Sequence, residues 1–235
     1  MYLRIPNQLI SVCIYGEDGL EALKTAERVA SKLAPGRLPS FAEAHVVIAL
    51  EDISFQRIVG RMKLAKDLCL GEGEARTLVK HMKNEGLIQI SKSGISLSMK
   101  GTRLLSSLRT LLSNHVEIPR TSLTIGQFNI AVRVRGSEDS VKYGLEQRDA
   151  AIIAGAKGAT TLIFGKAELR MPGTGENVSK NNPILLPALS SLDLKQGDVV
   201  IIGSADEKIK AELGAKTAAI ELVKSNVKEA ASKKQ

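Results

Sequence analysis

Residues Leu70 to Ile88 read LGEGEARTLVKHMKNEGLI, two glycines around a glutamate followed by apolar residues at helical spacing. A glycine turn that opens a helix has two physical uses. Its backbone N–H groups cradle a phosphate, or it joins two helices tightly enough to aim the second into a groove. The first use needs a hydrophobic strand running into the turn and a Lys-Ser or Lys-Thr pair after it. Here the preceding MKLAKDLCL is helical and no such pair follows. Glu72 and Glu74 also place negative charge where a phosphate would sit. The helix-turn-helix use remains.

The helix after the turn carries the test. At about 100° per residue, Ala75, Leu78, Val79 and Met82 gather on one side, the side that packs on the preceding helices. The opposite side holds Gly73, Thr77, Lys80 and Asn84, flanked by Arg76 and His81. These are residue types that meet phosphates and base edges, although charged residues also make up any ordinary solvated face. Glu72 and Glu74 depart from a strong DNA reader, because a carboxylate near phosphate repels it. By its position Glu74 suits the positive end of the helix dipole instead.

The neighbouring elements follow from pattern. Ser40 with Glu43 reads as a capping box opening a helix over Phe41 to Asp52, with Phe41, Ala44, Val47, Ile48 and Leu50 on its buried side. Gly60 to Leu68 reads as a second helix with Met62, Leu64, Ala65 and Leu68 in the core. LIQISKSGISLSMKG alternates about KSG, a β-hairpin. TRLLSSLRTLLSN returns to helical spacing. Between Phe55 and Arg103 lie ten basic and four acidic residues, +6 of the chain's net +8. Such a local excess favours a polyanion. The further DNA-contact candidates are Arg61, Lys63 and, at the hairpin tip, Lys92, which would touch the backbone or the minor groove.

GRMKLAKDLCLGEGEARTLVKHMKNEGLIQISKSGISLSMKG resembles an archaeal or bacterial winged helix-turn-helix regulator, with the hairpin as the wing. The stretches GLEQRDAAIIAGAKGATTLIF and GDVVIIGSAD resemble an uncharacterised α/β domain attached to winged helices in archaeal proteins. The expected fold class is a two-domain α+β / α/β chain. An N-terminal extension (1–38) precedes a winged helix (39–114) of three helices plus a β-hairpin. An α/β sheet domain (117–224) and a flexible tail (225–235) follow. SNHVEIPRTS reads as the linker. The resemblance implies a transcription regulator whose partner is double-stranded DNA, with an α/β domain that senses a small-molecule effector or mediates assembly. It also implies a homodimer, to which the leucines of TRLLSSLRTLLSN would contribute unless they are core. The alternatives are a protein-interaction adaptor docking through the winged helix, and an enzyme in the α/β domain.

Catalytic chemistry finds no foothold in the sequence. His45, His81 and His115 lack metal-ligand spacing with one another or with Cys13 and Cys69, and no nucleophile elbow occurs. No enzyme activity, metal or cofactor is expected. Seven aromatic residues are too few for a stacking platform on single strands. In the α/β region the ligand candidates are Arg148 and Asp149, which open a helix, and Ser204 and Asp206, which follow the buried strand DVVIIG. The last two are read either as a helix N-cap or as crevice residues of an open α/β sheet. No apolar run is long enough for a membrane span and no signal peptide is evident, so a cytoplasmic chain without a membrane partner is expected.

Overall fold

A computed structural model describes the backbone over residues 7–31 and 40–232, with side chains over 16–31 and 40–229. The chain divides into two compact units, Glu17–Arg109 and, separately, Met1–Gly16 with Thr110–Gln235. Helix α1 (Asn7–Ala30) is broken at Gly16, whose φ of 67° and ψ of 153° lie outside the helical region. The break coincides with the division between units.

The N-terminal unit contains α1 from Glu17 onward, α2 (Glu43–Gln56), α3 (Arg61–Asp67), α4 (Glu72–Asn84), the antiparallel hairpin β1 (Ile88–Ser91) and β2 (Gly94–Leu97), and most of α5 (Met99–Leu111). This is the expected order of three helices, hairpin and helix. Helix α2 is buried from Val46 through Leu50 without a break, so it is the central rod of the unit. Ala75, Leu78, Val79 and Met82 of α4 and Leu104, Leu105 and Leu108 of α5 are buried in the same unit.

Residues 17–30, read from sequence as part of an extension, supply core to the same unit: Ala22, Leu23, Ala26 and Val29 are buried. The PGRLPS break lies outside the described residues up to Ser40. The cap of α2 also differs from expectation. Ala42, not Ser40, precedes the helix, and its N–H donates to Nδ1 of His45 at 3.1 Å. An imidazole three residues into the helix thus does the work expected of Glu43. Met62 is 60% exposed rather than core.

The C-terminal unit is a five-stranded sheet, all antiparallel between neighbours. Its order is β3 (Val116–Glu117), β4 (Phe128–Val134), β7 (Val199–Ala205), β5 (Gly158–Gly165), β6 (Glu168–Arg170). Strands β4 and β5 both run opposite to β7 and therefore parallel to each other, joined through α6 (Leu145–Ile153) with β7 inserted between them. This is a split β-α-β arrangement. The alternation of strands and helices was legible, but the inserted strand removes the crevice expected at the ends of adjacent parallel strands.

Every residue of β7 is buried, because both sheet faces are covered. On one face lies α6 with the long α8 (Lys208–Ser232). On the other, Ala131, Leu162, Val200 and Ile202 meet Leu185 of α7 (Leu185–Ala188) and Leu189 and Leu192 just after it. Gly203 lets α8 lie on the sheet, since a Cβ there would collide with the backbone of Ala211. Two expectations change here. SNHVEIPRTS is not a linker: Ser113 exchanges hydrogen bonds with Arg133, Val116–Glu117 forms the edge strand, and Ile118 is core. The segment read as a tail is helical through Ser232. Among the described residues no helix is long and apolar enough to cross a membrane.

Candidate functional site

Helix α4 leaves the turn at Gly71, whose N–H donates to Oε2 of Glu74 at 2.9 Å. Glu74 therefore satisfies one of the helix's orphan donors and sits at the positive end of its dipole. Glu72 lies between two arginines, 3.1 Å from Arg76 and 3.6 Å from Arg61. Both acidic residues that conflicted with a polyanion interface are thus engaged within the unit. Thr77 donates its hydroxyl to the carbonyl of Gly73 at 2.9 Å, which leaves its oxygen lone pairs for a partner.

The outward face of α4 agrees with the sequence reading at Gly73, Arg76, Thr77, Lys80 and Asn84, all exposed. His81 is the exception. It is 5% exposed, its Nδ1 lies 2.8 Å from the carbonyl of Val29, and its ring meets Phe41 edge-on. The helix wheel set it beside the polar face, but α1 covers that side. His81 is therefore a core residue and not a surface contact.

Ion pairing sorts the ten basic residues between Phe55 and Arg103. Arg61 and Arg76 share Glu72, Lys63 holds Asp67 at 2.8 Å, and Lys100 reaches the carbonyl of Glu85 at 2.7 Å. Among the described residues the remaining six, Arg57, Lys66, Lys80, Lys83, Lys92 and Arg103, have no such partner. Lys92 stands at the tip of the hairpin, where Ser91 and Ser93 are joined at 2.7 Å between their hydroxyl oxygens.

Two fixtures hold the hairpin. Val59, just before α3, exchanges both backbone hydrogen bonds with Ile95 at 2.9 Å, adding a third short segment to the hairpin edge. Sequence pattern gives no sign of this, because a single bridging residue has no periodicity. At the other end Ser98 binds the Gly86 carbonyl at 2.6 Å and receives the Gly101 N–H at 3.0 Å, capping α5. Gly101 is required because a Cβ there would strike the Leu87 carbonyl. The LSMKG run is thus a cap and a close approach.

In the C-terminal unit the four sequence candidates are each engaged in pairs of their own. Arg148 and Asp149 pair with each other at 3.1 Å on the exposed face of α6. Ser204 lies inside β7, buried, and donates to Oδ1 of Asn129 at 2.8 Å. Asp206 is exposed and paired with Lys157 at 2.7 Å. The reading of Ser204 as a helix cap or crevice residue fails because the strand runs on to Ala205 and the helix begins only at Lys208.

A concavity does exist elsewhere in this unit. A cavity of about 380 Å³ opens beside the β5–β6 turn, with Glu138, Lys166 and Arg170 among its polar lining and Ile163, Met171 and Pro172 among its apolar lining. Glu138, Lys166 and Arg170 carried no sequence signal as a site, since nothing local brings Glu138 to the β5–β6 turn. A second polar cluster is closed: Lys216, fully buried, and His115 both reach Oε1 of Glu212 at 2.8 Å. Burial alone would raise the Glu212 carboxyl, but His115 and Lys216 overcome it and hold the group at about 2.

Comparison with known proteins follows the same division. Residues 47–112 match the family described as the CggR N-terminal DNA binding domain. Residues 125–222 match DUF4443, a domain of unknown function. A solved structure, that of a hypothetical protein from Pyrococcus horikoshii OT3, is similar with a TM-score of 0.64 and 26% identity, covering 80% of this chain and 97% of that one. No curated protein matches. The first match begins within α2 and ends just after α5, so it spans α4, the hairpin and their fixtures.

Proposed function

We propose that this chain is a DNA-binding transcription regulator of the winged-helix type. In this reading α4 lies in the major groove, the hairpin is the wing, and the C-terminal unit senses a small molecule or mediates assembly, in a homodimer. The observation that carries it is the coincidence of two independent facts. The stretch similar to a DNA-binding domain is the stretch that keeps unpaired cations on its surface. Lys80 and Asn84 are exposed on the outward side of α4, where a lysine or an asparagine pairs with guanine or adenine edges. Lys92 at the hairpin tip suits a phosphate. No catalytic step is assigned to either unit.

The test is a salt titration of binding to a preferred and a scrambled duplex, the preferred site being found by genome-wide mapping of bound DNA. A variant combining Thr77→Ala, Lys80→Ala and Asn84→Ala is expected to lose preference, by about 1–3 kcal/mol for each base contact removed. Binding like the wild type by this variant would remove α4 as the reader.

A further inference from the structure

The cavity at the β5–β6 turn is lined by charged groups that nothing else in the unit uses. Among the described residues the Glu138 carboxylate and the Lys166 ammonium have no hydrogen-bond or ion-pair partner. Arg170 gives one guanidinium N–H to Glu168 at 3.1 Å, while its Nε is buried without a partner. The Arg170 side chain as a whole is 41% exposed, so it can still take a further partner.

The surroundings hold these groups in place. Lys166 and Ala167 both adopt left-handed backbone, φ 53° and 58°, which costs energy for residues other than glycine. The turn is kept there by the Lys166 N–H donating to Gln196 Oε1 at 2.9 Å. Glu138 is fixed by its own N–H on the Gly197 carbonyl at 3.2 Å. Ile163, Met171 and Pro172 make the remaining wall apolar.

The charges define the ligand. Lys166 and Arg170 are matched by Glu138 and by Glu168, which Arg170 already holds. A polyanion would face Glu138 unpaired, and a plain cation would face Lys166. The lining suits a molecule with no net charge but with separated charges. The volume is at the small end of ligand pockets, which run from about 300 to 1,000 Å³.

Resting on the reading of the C-terminal unit as a sensor, we infer that this cavity binds a small zwitterion of the free α-amino acid class. The carboxylate meets the Arg170 guanidinium and Lys166, the ammonium meets Glu138, and an apolar side chain lies against Ile163, Met171 and Pro172.

The experiment is calorimetric titration of the full-length protein with leucine, methionine, N-acetyl-leucine, leucinamide and inorganic phosphate, each to about 10 mM. Leucine or methionine is expected to bind. N-acetyl-leucine, which lacks the ammonium, and leucinamide, which lacks the carboxylate, are expected to bind at least about tenfold more weakly. Glu138→Gln and Arg170→Gln should each weaken leucine or methionine by at least about tenfold. Lys166→Ala, in the exposed turn, keeps the site testable if Arg170→Gln does not fold. Three results would overturn the inference. They are no binding of either amino acid, equal binding of N-acetyl-leucine or phosphate, or binding unchanged in Glu138→Gln and Lys166→Ala. DNA affinity measured on the same samples separates the two readings. Amino-acid binding without DNA binding sinks the regulator, and DNA binding without amino-acid binding sinks only the ligand site.

Discussion

The two units differ in how they treat charge. The N-terminal unit leaves six cations on its surface without partners among the described residues. The C-terminal unit also has such unpartnered surface charges, Glu138 and Lys166 among them, but in addition takes charge inside and matches it. Lys216 is fully buried against Glu212. Asp198, also fully buried, accepts from Arg135 at 2.7 Å and from the N–H groups of Gly136 and Lys195 at 3.0 and 2.9 Å. An exposed cation keeps its hydration and costs the fold almost nothing, so it is available to a partner. A buried charge is tolerated only with its counter-charge and hydrogen bonds in place, so it is committed to the structure. Exposure and pairing together therefore separate charges free for binding from charges that hold the fold, and the contrast makes predictions that differ between units.

The largest effect is expected at the buried pair. Lys216→Met leaves the buried Glu212 with His115 alone and should destabilise the C-terminal unit by about 3–5 kcal/mol, measured by denaturant unfolding. Lys80→Ala and Lys92→Ala should change stability by no more than about 0.5 kcal/mol. Pairing Lys216→Met with Glu212→Leu should recover much of the loss. If Lys216→Met costs no more than Lys80→Ala, the contrast between the units does not hold.

The same contrast marks what was legible in the sequence. The buried stripe of α4 could be read because Ala75, Leu78, Val79 and Met82 repeat at helical spacing, and the hairpin because its side chains alternate. Both are local patterns. His81 was misplaced because its cover comes from Val29, 52 residues earlier. That early segment was read only as an extension, and nothing local in it shows where it packs. Strand β3 has two residues and no period to detect. Ser204 was read past the end of its strand, since only its pairing with Asn129 of β4 and Gly158 of β5 shows that β7 continues. The cavity draws Glu138, Lys166 and Arg170 from separate elements, and their convergence is a property of topology. Surface charge was readable as a local excess. Pairing was not, because Glu72 reaches Arg61 across the turn.

A middle-sized effect concerns acid. Glu212 is held at about 2 against an ordinary 4.5. A depressed carboxyl contributes stability that is complete above 4.5 and lost as pH falls toward 2. His45 lies below its ordinary 6.5, chiefly through burial, which outweighs the opposing Glu74 charge. The unfolded chain then takes up this proton first, so the contribution is complete above 6.5 and lost as pH falls through the folded value. Protonation at Nδ1 also ends its acceptance of the Ala42 N–H. The N-terminal unit should therefore weaken at a higher pH than the C-terminal unit, seen as separate losses of chemical-shift dispersion in an acid titration followed by NMR. His45→Gln keeps an acceptor but cannot titrate, and should remove the earlier loss. Simultaneous loss in both units, unchanged by His45→Gln, would contradict the assignment.

The smallest effect tests the proposed DNA-binding reading at its electrostatics. Each phosphate neutralised on duplex DNA contributes about 0.9 to the slope of log affinity against log salt. Lys92 has no partner to leave, so Lys92→Ala should lower the slope by nearly one unit and weaken all duplexes alike. Arg61 and Arg76 differ because Glu72 already sits between them. Glu72→Gln removes that carboxylate's charge while keeping its shape. If either arginine approaches the DNA backbone, the freed charge should steepen the slope and raise affinity for scrambled duplex, with preference for the specific site little changed. Arg61→Ala in the wild-type background should flatten the slope less than Lys92→Ala, and more once Glu72 is Gln. A slope for Glu72→Gln equal to that of the wild type would place both arginines away from phosphate and leave the free lysines as the basic contacts.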